Sequence, residues 1–248
     1  MTALQENLER LEDAISAACR AAGRTRGEVE LMAVSKTFPA EAVAEAAALG
    51  LTLFGENRVQ EFGTKVSYAA EHGTWAVRDR LSFNLIGHLQ SNKAARAAEL
   101  FDGVDSLDSL RLAERLDEAA GRYGKRLPVL IEVKLSPEAT KAGLTPESAA
   151  AAQLLERLPD FLNLNARGLM TIAPWGAPED ETRACFRSLR AVRDRWAAAH
   201  PNLHLDVLSM GMSGDFRLAI AEGSTRIRIG TALFGKRTPP SPTSAQED

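Results

Sequence analysis

Apolar residues recur along the chain in two different patterns. From Leu4 to Ala22 they return at three- and four-residue steps, which predicts an amphipathic helix. After Gly23 they form short continuous runs instead, each of the length expected for a buried strand. These runs occupy residues 29–36, 51–57, 81–88, 100–107, 127–134, 162–170, 203–211 and 224–235. The pattern therefore predicts one N-terminal helix followed by eight strands.

The segments between the runs are rich in alanine, glutamate, arginine and leucine and predict helices. Examples are residues 39–49, 108–120, 146–158 and 179–199. Pro39 and Pro146 open two of them, because a proline in the first helical turn removes no hydrogen bond. Strands and helices that alternate throughout are typical of parallel βαβ units. Eight such units close a barrel, so we predict an α/β fold: a single (β/α)8 TIM-type barrel with an extra N-terminal helix.

An open, doubly wound sheet is the alternative arrangement of the same elements. It is disfavoured because no GxGxxG follows the first predicted strand. The length of 248 residues is usual for one such barrel. We therefore predict one domain over residues 1–235. Residues 236–248 are polar and rich in proline and serine, and we predict that they form a disordered tail.

Composition and charge exclude several classes of protein. The net charge is −3 and like charges form no block, which argues against a nucleic-acid or membrane surface. No apolar run spans a bilayer and no N-terminal signal segment occurs, so we expect a cytoplasmic protein. Cys19 and Cys185 are far apart in helical contexts and are expected to be reduced thiols. The four histidines form no metal-binding motif.

The residues with chemical potential follow the carboxyl ends of the predicted strands. They are Lys36, Asn57, His88, Ser209, Gly230 and Thr231. Barrel enzymes build their sites at this rim. One such residue could stand there by chance, but their coincidence at one end predicts a shared site.

Two interpretations of Lys36 compete. A lone lysine often marks the point where a strand meets solvent. At the end of the apolar run VELMAVS, it is alternatively a desolvated amine with a lowered pKa, able to form a Schiff base with an aldehyde.

The segment RIRIGT predicts a strand with a charged face. Alternation places Arg226, Arg228 and Gly230 on one side and the two isoleucines on the other. If that face lines the barrel, Arg228 needs an acceptor, either a protein carboxylate or a ligand nitrogen or phosphate. Gly230 and Thr231, with the SMGMSG loop of residues 209–214, could hold a phosphate at the rim, although a glycine-rich loop more often only permits a turn.

Asn57 and His88 each follow an apolar strand. Asn57 could cap the next helix, and His88 could be a half-buried imidazole with protein partners. As members of the rim cluster, both could instead contact a ligand ring.

At these residues the chain resembles the pyridoxal phosphate homeostasis protein family. The resemblance is carried by AVSKTFP, FGENRVQE, LIGHLQSNK, GLMTIAP and LSMGMSGDFRLAIAEGSTRIRIGTALFG, spread between residues 33 and 235. It implies a fold-type III pyridoxal-5′-phosphate (PLP) barrel, similar to the N-terminal domain of alanine racemases. It further implies a PLP aldimine on Lys36, Arg228 facing the pyridine nitrogen, and Asn57 near the ring. Ser209, Gly230 and Thr231 would hold the phosphate.

The resemblance is weaker at one residue and in one segment. Arg226 stands where the family usually has a less polar residue, so we leave it out of the predicted site. The segment 131–144 matches the family only in the general pattern of its fifth-strand region. The resemblance therefore implies no role for Lys134 and an undefined role for Lys141.

By resemblance, the function is that of a PLP carrier in intracellular PLP homeostasis and delivery, with apo PLP enzymes as acceptors and a monomeric state. A weak PLP-dependent amino-acid racemase is the alternative. Alanine racemases draw a second base from a tyrosine on a further C-terminal domain, for which this chain has no counterpart after the eighth strand. We therefore expect no robust catalysis. A PLP-free phosphate-binding barrel is the third hypothesis.

Overall fold

The computed structural model describes residues 1–75, 78–135 and 142–235. Its strands are β1 Glu30–Val34, β2 Leu53–Glu56, β3 Ser82–Leu85, β4 Gly103–Leu107, β5 Leu127–Glu132, β6 Leu164–Met170, β7 Val207–Ser209 and β8 Arg226–Ile229. The α-helices among these residues are α1 Ala3–Ala21, α2 Ala40–Ala48, α3 Val59–His72, α4 Ala94–Leu100, α5 Leu110–Arg122, α6 Ala149–Arg157, α7 Glu179–Ala199, α8 Phe216–Ala221 and α9 Thr231–Phe234. The predicted tail of residues 236–248 lies outside the described residues.

The strands form a closed parallel barrel in chain order, and β8 pairs with β1. The register aligns Met32 with Arg228 and Ala33 with Ile229. The predicted (β/α)8 barrel is confirmed, and the open doubly wound sheet is wrong. Because all strands run the same way, their carboxyl ends meet at one rim of the barrel.

Strand alternation separates two layers of side chains. Ala33, Ile227 and Ile229 are buried in the apolar layer between the barrel and its helices. Arg226 on β8 instead bonds Asp105 on β4, at the opposite side of the barrel, so both side chains point inward. The predicted separation of arginines from isoleucines along β8 is confirmed.

Several predicted boundaries shift by a few residues, and two of the differences change the interpretation of a segment. The run 224–235 is not one strand, because β8 ends at Ile229 and residues 231–234 form α9. Pro146 does not open α6, which begins at Ala149 after the N-cap Ser148. The Ser148 hydroxyl accepts a hydrogen bond from the Ala151 amide at 3.2 Å and so satisfies an N–H of the first helical turn. The Pro146 side chain has no acceptor with which to do this.

The predicted N-terminal helix is α1, which packs against the last elements of the barrel. Its apolar stripe buries Leu11, Ile15 and Cys19. The Asn7 amide donates to the carbonyl of Leu233 at 2.9 Å, fixing α1 to α9. Cys19 and Cys185 are both buried thiols, not a disulfide. In the described part of the chain, no helix has the length and apolar content to cross a membrane, and no group of acidic, histidine or cysteine side chains is arranged for a metal ion.

Candidate functional site

Lys36 lies at the carboxyl end of β1, half-buried, at the start of a tight turn. The next residue, Thr37, has a φ of 68°, a left-handed conformation that a β-branched residue adopts only at a cost. Its amide donates to Glu61 Oε1 at 2.5 Å, and the Phe38 amide donates to the Ser35 carbonyl at 3.1 Å. These two bonds hold the backbone on both sides of the lysine and fix where its side chain leaves the rim.

A buried charge cluster lies next to Lys36 on the helix side of the barrel. Glu56, the last residue of β2, is fully buried and accepts from the Ser35 hydroxyl at 2.8 Å. Lys65 on α3 forms an ion pair with the same Glu56 oxygen and donates to the Ser35 carbonyl at 2.9 Å. Burial raises the pKa of Glu56, and the nearby ammonium of Lys65 opposes that rise. Sequence analysis missed this cluster, because no local pattern distinguishes the buried Lys65 from an exposed lysine on a helix.

Arg228 is buried inside the barrel near the same rim. It donates to the Ser209 hydroxyl at 2.7 Å and to the Thr171 carbonyl at 2.8 Å. Burial lowers the pKa of Arg228, while the nearby carboxylates of Asp105 and Glu132 favour its charge. A guanidinium has five N–H donors, so these two bonds leave others for a ligand.

Arg226 lies at the other end of the barrel and has the carboxylate partners that sequence analysis considered for Arg228. It donates to Glu30 Oε2 at 2.7 Å and to Asp105 Oδ2 at 3.1 Å. Asn84 completes the group with a 2.7 Å bond to Asp105. Arg226 is therefore held by protein groups at the end of the barrel away from the rim.

Two loops meet where the sequence predicts a phosphate site. The Ser213 hydroxyl accepts from the Ala232 amide at 3.2 Å, which joins the loop after β7 to the first turn of α9. Gly211 has a φ of 95°, and a side chain there would meet the Ala219 Cβ at 2.5 Å, so this turn requires glycine. Thr231 is exposed beside this junction. Sequence analysis included Ser213 in the loop but gave it no role.

Gly230 places the end of β8 against β1. A Cβ at Gly230 would lie 3.5 Å from the Val34 carbonyl, two residues before Lys36. Lys36, Gly230 and Thr231 therefore lie on neighbouring strands at one rim. Ser209 differs from them, because it is fully buried and its hydroxyl accepts from Arg228. A hydroxyl that accepts one bond still has its own proton to donate.

Asn57 and His88 lie on the next strands of the rim. Asn57 does not cap α3, whose N-cap is Arg58. The backbone of Asn57 packs closely against Gly87. A Cβ added at Gly87 would lie 2.2 Å from the Asn57 carbonyl oxygen. The His88 side chain is 56% exposed, and its Nδ1 lies 3.0 Å from Asp108 Oδ2. The structure brings both residues to the predicted rim.

Glu132, the last residue of β5, is a rim residue that sequence analysis missed. It is 7% exposed, and its Oε2 has no hydrogen-bond partner among the described residues. Burial and the carboxylate of Asp108 raise the pKa of Glu132 to about 7, against the opposing charge of Arg228. The sequence signal that could have identified Glu132 is a carboxylate near the end of the apolar run LPVLIEVK, which was predicted as a strand. Lys141, whose role was undefined, lies outside the described residues.

Comparison with known proteins identifies the family. The family described as "Alanine racemase, N-terminal domain" matches residues 3–238. The Pyridoxal phosphate homeostasis protein of Vibrio cholerae is 44% identical over 239 residues, covering 96% of this chain and 98% of the relative. The protein of the same name from Escherichia coli K12 is 41% identical over 238 residues, with 96% and 98% coverage.

Solved structures agree with this result. The structure of PipY from Synechococcus elongatus PCC7942 with PLP bound has 45% sequence identity and a TM-score of 0.76, covering 84% of this chain and 93% of PipY. An alanine racemase of Clostridium difficile 630 has 15% identity and a TM-score of 0.62, covering 96% of this chain and 57% of the racemase, which shows the shared fold alone. The chain belongs to the pyridoxal phosphate homeostasis protein family and carries the alanine racemase N-terminal domain fold.

Proposed function

We propose that this protein binds PLP through Lys36 and acts in intracellular PLP homeostasis and delivery. Relatives more than 40% identical carry the name Pyridoxal phosphate homeostasis protein, and the similar PipY structure has PLP bound. The observation that carries the proposal is the proximity of a fixed lysine to a polar, glycine-containing junction on the neighbouring strand. PLP supplies an aldehyde that condenses reversibly with amines, and a phosphate that needs such donors.

The rim residues fit this cofactor in distinct ways. Lys36 would supply the amine, at a backbone position fixed by the Thr37 and Phe38 hydrogen bonds. Gly230 and Thr231 would bind the phosphate. The buried Ser209 would donate its hydroxyl proton to the same phosphate. Arg228 would face the pyridine nitrogen, and Asn57 would lie near the ring.

Arg228 also limits what chemistry the site supports. A permanently charged guanidinium at the pyridine nitrogen disfavours a proton there, so the ring withdraws electrons less strongly. Racemisation requires such withdrawal together with acid/base groups on both faces of the substrate. Binding and release require neither.

The tyrosines of the chain do not supply a second base. Tyr68 lies on the outer helix α3, where its ring stacks on His72 at 4.1 Å between centroids. Tyr123 is the C-cap of α5, and its hydroxyl lies 3.4 Å from Glu99 Oε2. Both are exposed side chains of outer helices. This arrangement favours a carrier over a racemase.

The covalent part of the proposal is tested by Lys36→Ala. We expect the wild-type protein to retain PLP after borohydride reduction, with the modification mapped to Lys36, and the variant to retain none. Lys93→Ala, which removes a lysine after β3, is the matched control and should behave as wild type. Reduction that fixes PLP mainly on another lysine would contradict the assignment.

The carrier function is tested by transfer and by turnover. The PLP-loaded protein should restore activity to an apo PLP enzyme. With L- and D-amino acids it should show at most trace racemisation or keto-acid release, since one missing acid/base group typically costs about 10²–10⁴-fold. Turnover at about 1–10³ s⁻¹, the ordinary range for enzymes, would instead establish a catalyst. The monomeric state and the cytoplasmic location stay predictions.

A further inference from the structure

Glu132 is a buried carboxyl that the proposed function does not use. Its Oε2 has no hydrogen-bond partner among the described residues, although the side chain is almost wholly buried. An ionised carboxylate in such a place loses its hydration without compensation. Burial therefore favours the protonated, neutral carboxyl. A ligand that forms a hydrogen bond with Oε2 would remove the cost of leaving this atom without a partner.

The charged and titratable groups around Glu132 come from three other strands. Arg228 on β8 and His88 after β3 favour the carboxylate, and Asp108 after β4 opposes it. Burial outweighs the two cations and raises the pKa of Glu132 to about 7. The carboxyl therefore holds a proton below neutral pH and gives it up just above.

Glu132 also lies across the barrel from Lys36. In a closed barrel of eight strands in chain order, β5 is opposite β1. Both residues stand at or just beyond the carboxyl ends of these strands, at one rim. A ligand attached to Lys36 would therefore bind at the rim on which the Glu132 carboxyl lies.

We propose that Glu132 is a further ligand-binding residue of this site, and that its protonated carboxyl donates a hydrogen bond to a ring acceptor of bound PLP. The inference rests on the proposed function. A neutral carboxyl can donate through Oε2, whereas an ionised one accepts only and would repel an anionic ligand. Bound PLP then stabilises the protonated form, so binding above neutral pH takes up a proton.

The test compares PLP affinity across pH in the wild-type protein and in Glu132→Gln. Glutamine has nearly the same shape and keeps an N–H donor, but it does not titrate. If the complex keeps the proton, the ratio of wild-type to variant dissociation constants should rise about tenfold from pH 6 to pH 8. Titration of PLP itself and of Lys36 affects both proteins alike and cancels in this ratio. Glu114→Gln, an exposed change on α5, is the matched control and should follow wild type.

A second measurement uses a ligand that cannot condense with Lys36. The analogue 4-deoxypyridoxine 5′-phosphate lacks the aldehyde. Calorimetry at pH 8 in two buffers of different ionisation enthalpy should show that the wild-type protein takes up about one proton more than Glu132→Gln, because any proton lost from the ring nitrogen beside Arg228 is lost in both proteins.

The outcomes separate the two proposals. PLP binding with parallel pH profiles in wild type and Glu132→Gln, or equal proton uptake by the two proteins on binding the analogue, would overturn the role of Glu132 and leave the proposed function intact. Absence of PLP binding by the wild-type protein at every pH would instead defeat the proposed function.

Discussion

At the scale of single residues, the two inward-facing arginines of β8 show how the partner decides the role. Arg226 is held by two carboxylates, so its charge is satisfied within the protein. Among the described residues, the hydrogen-bond partners of Arg228 are both neutral, a hydroxyl and a carbonyl. Its charge and its remaining donors are therefore available to a ligand. Two residues of one type, two positions apart, thus differ in their hydrogen-bond partners, and this difference supports the ligand-binding role proposed for Arg228.

Thr231→Ala tests the phosphate position. If the hydroxyl donates to a phosphate, the bond is charge-assisted, and its loss should weaken PLP binding by about 1.5–3 kcal/mol, or about 10- to 150-fold. Binding of pyridoxal, which has no phosphate, should change little. Thr52→Ala, an exposed change at the residue before β2, is the control. Equal losses for the two ligands would place the phosphate elsewhere.

At the scale of elements, the pair Glu56–Lys65 joins β2 to α3 beside the turn that carries Lys36. Both side chains are buried, at 0% and 7% exposure. Removing one member of a buried pair leaves the other charge without compensation. The contact between this strand and its helix therefore depends on charge as well as on apolar packing.

Lys65→Met should accordingly destabilise the protein by about 3–5 kcal/mol near pH 8. The loss should be smaller at pH 5, because burial already raises the pKa of Glu56 and the unpaired carboxyl can take up a proton there. Urea unfolding at the two pH values measures both effects. Arg157→Met, which breaks an exposed pair with Asp160, should cost no more than about 1 kcal/mol. A loss from Lys65→Met that is equal at both pH values would contradict the role given to Glu56.

At the scale of the whole molecule, Glu132 makes stability depend on pH. Its pKa is about 7 in the folded protein and 4.5 ordinarily, so between these values the folded state holds a proton that the unfolded chain has released. The contribution of Glu132 to the free energy of unfolding is therefore greatest below pH 4.5. It falls as the pH rises from 4.5 through 7. The full penalty is about 3 kcal/mol.

Glu132→Gln should remove that penalty in the PLP-free protein. Its free energy of unfolding should exceed that of wild type by up to about 3 kcal/mol at pH 8 and differ little at pH 4.5. Denaturant unfolding at a series of pH values provides the measurement. A stability difference between the two proteins that does not change with pH would show that Glu132 does not titrate in this range.

The sequence alone determined the architecture and most of the rim. Strand and helix periods are local, so the eight runs and the helices between them predicted the barrel. Lys36, Asn57, Gly230 and Thr231 could then be assigned to one rim, since parallel strands end on the same side. The predicted boundary was wrong in the run 224–235, where Gly230 alone separates β8 from α9 and the apolar residues continue into the helix.

Only the tertiary structure decided which buried groups meet. Glu56 and Lys65, Arg226 and Asp105, and the unpartnered oxygen of Glu132 depend on distances across the barrel or between layers. No local pattern encodes such distances, because barrel closure brings residues far apart in sequence into contact. The energy of a buried charge depends on its partner and its loss of solvent, and both exist only in the folded molecule.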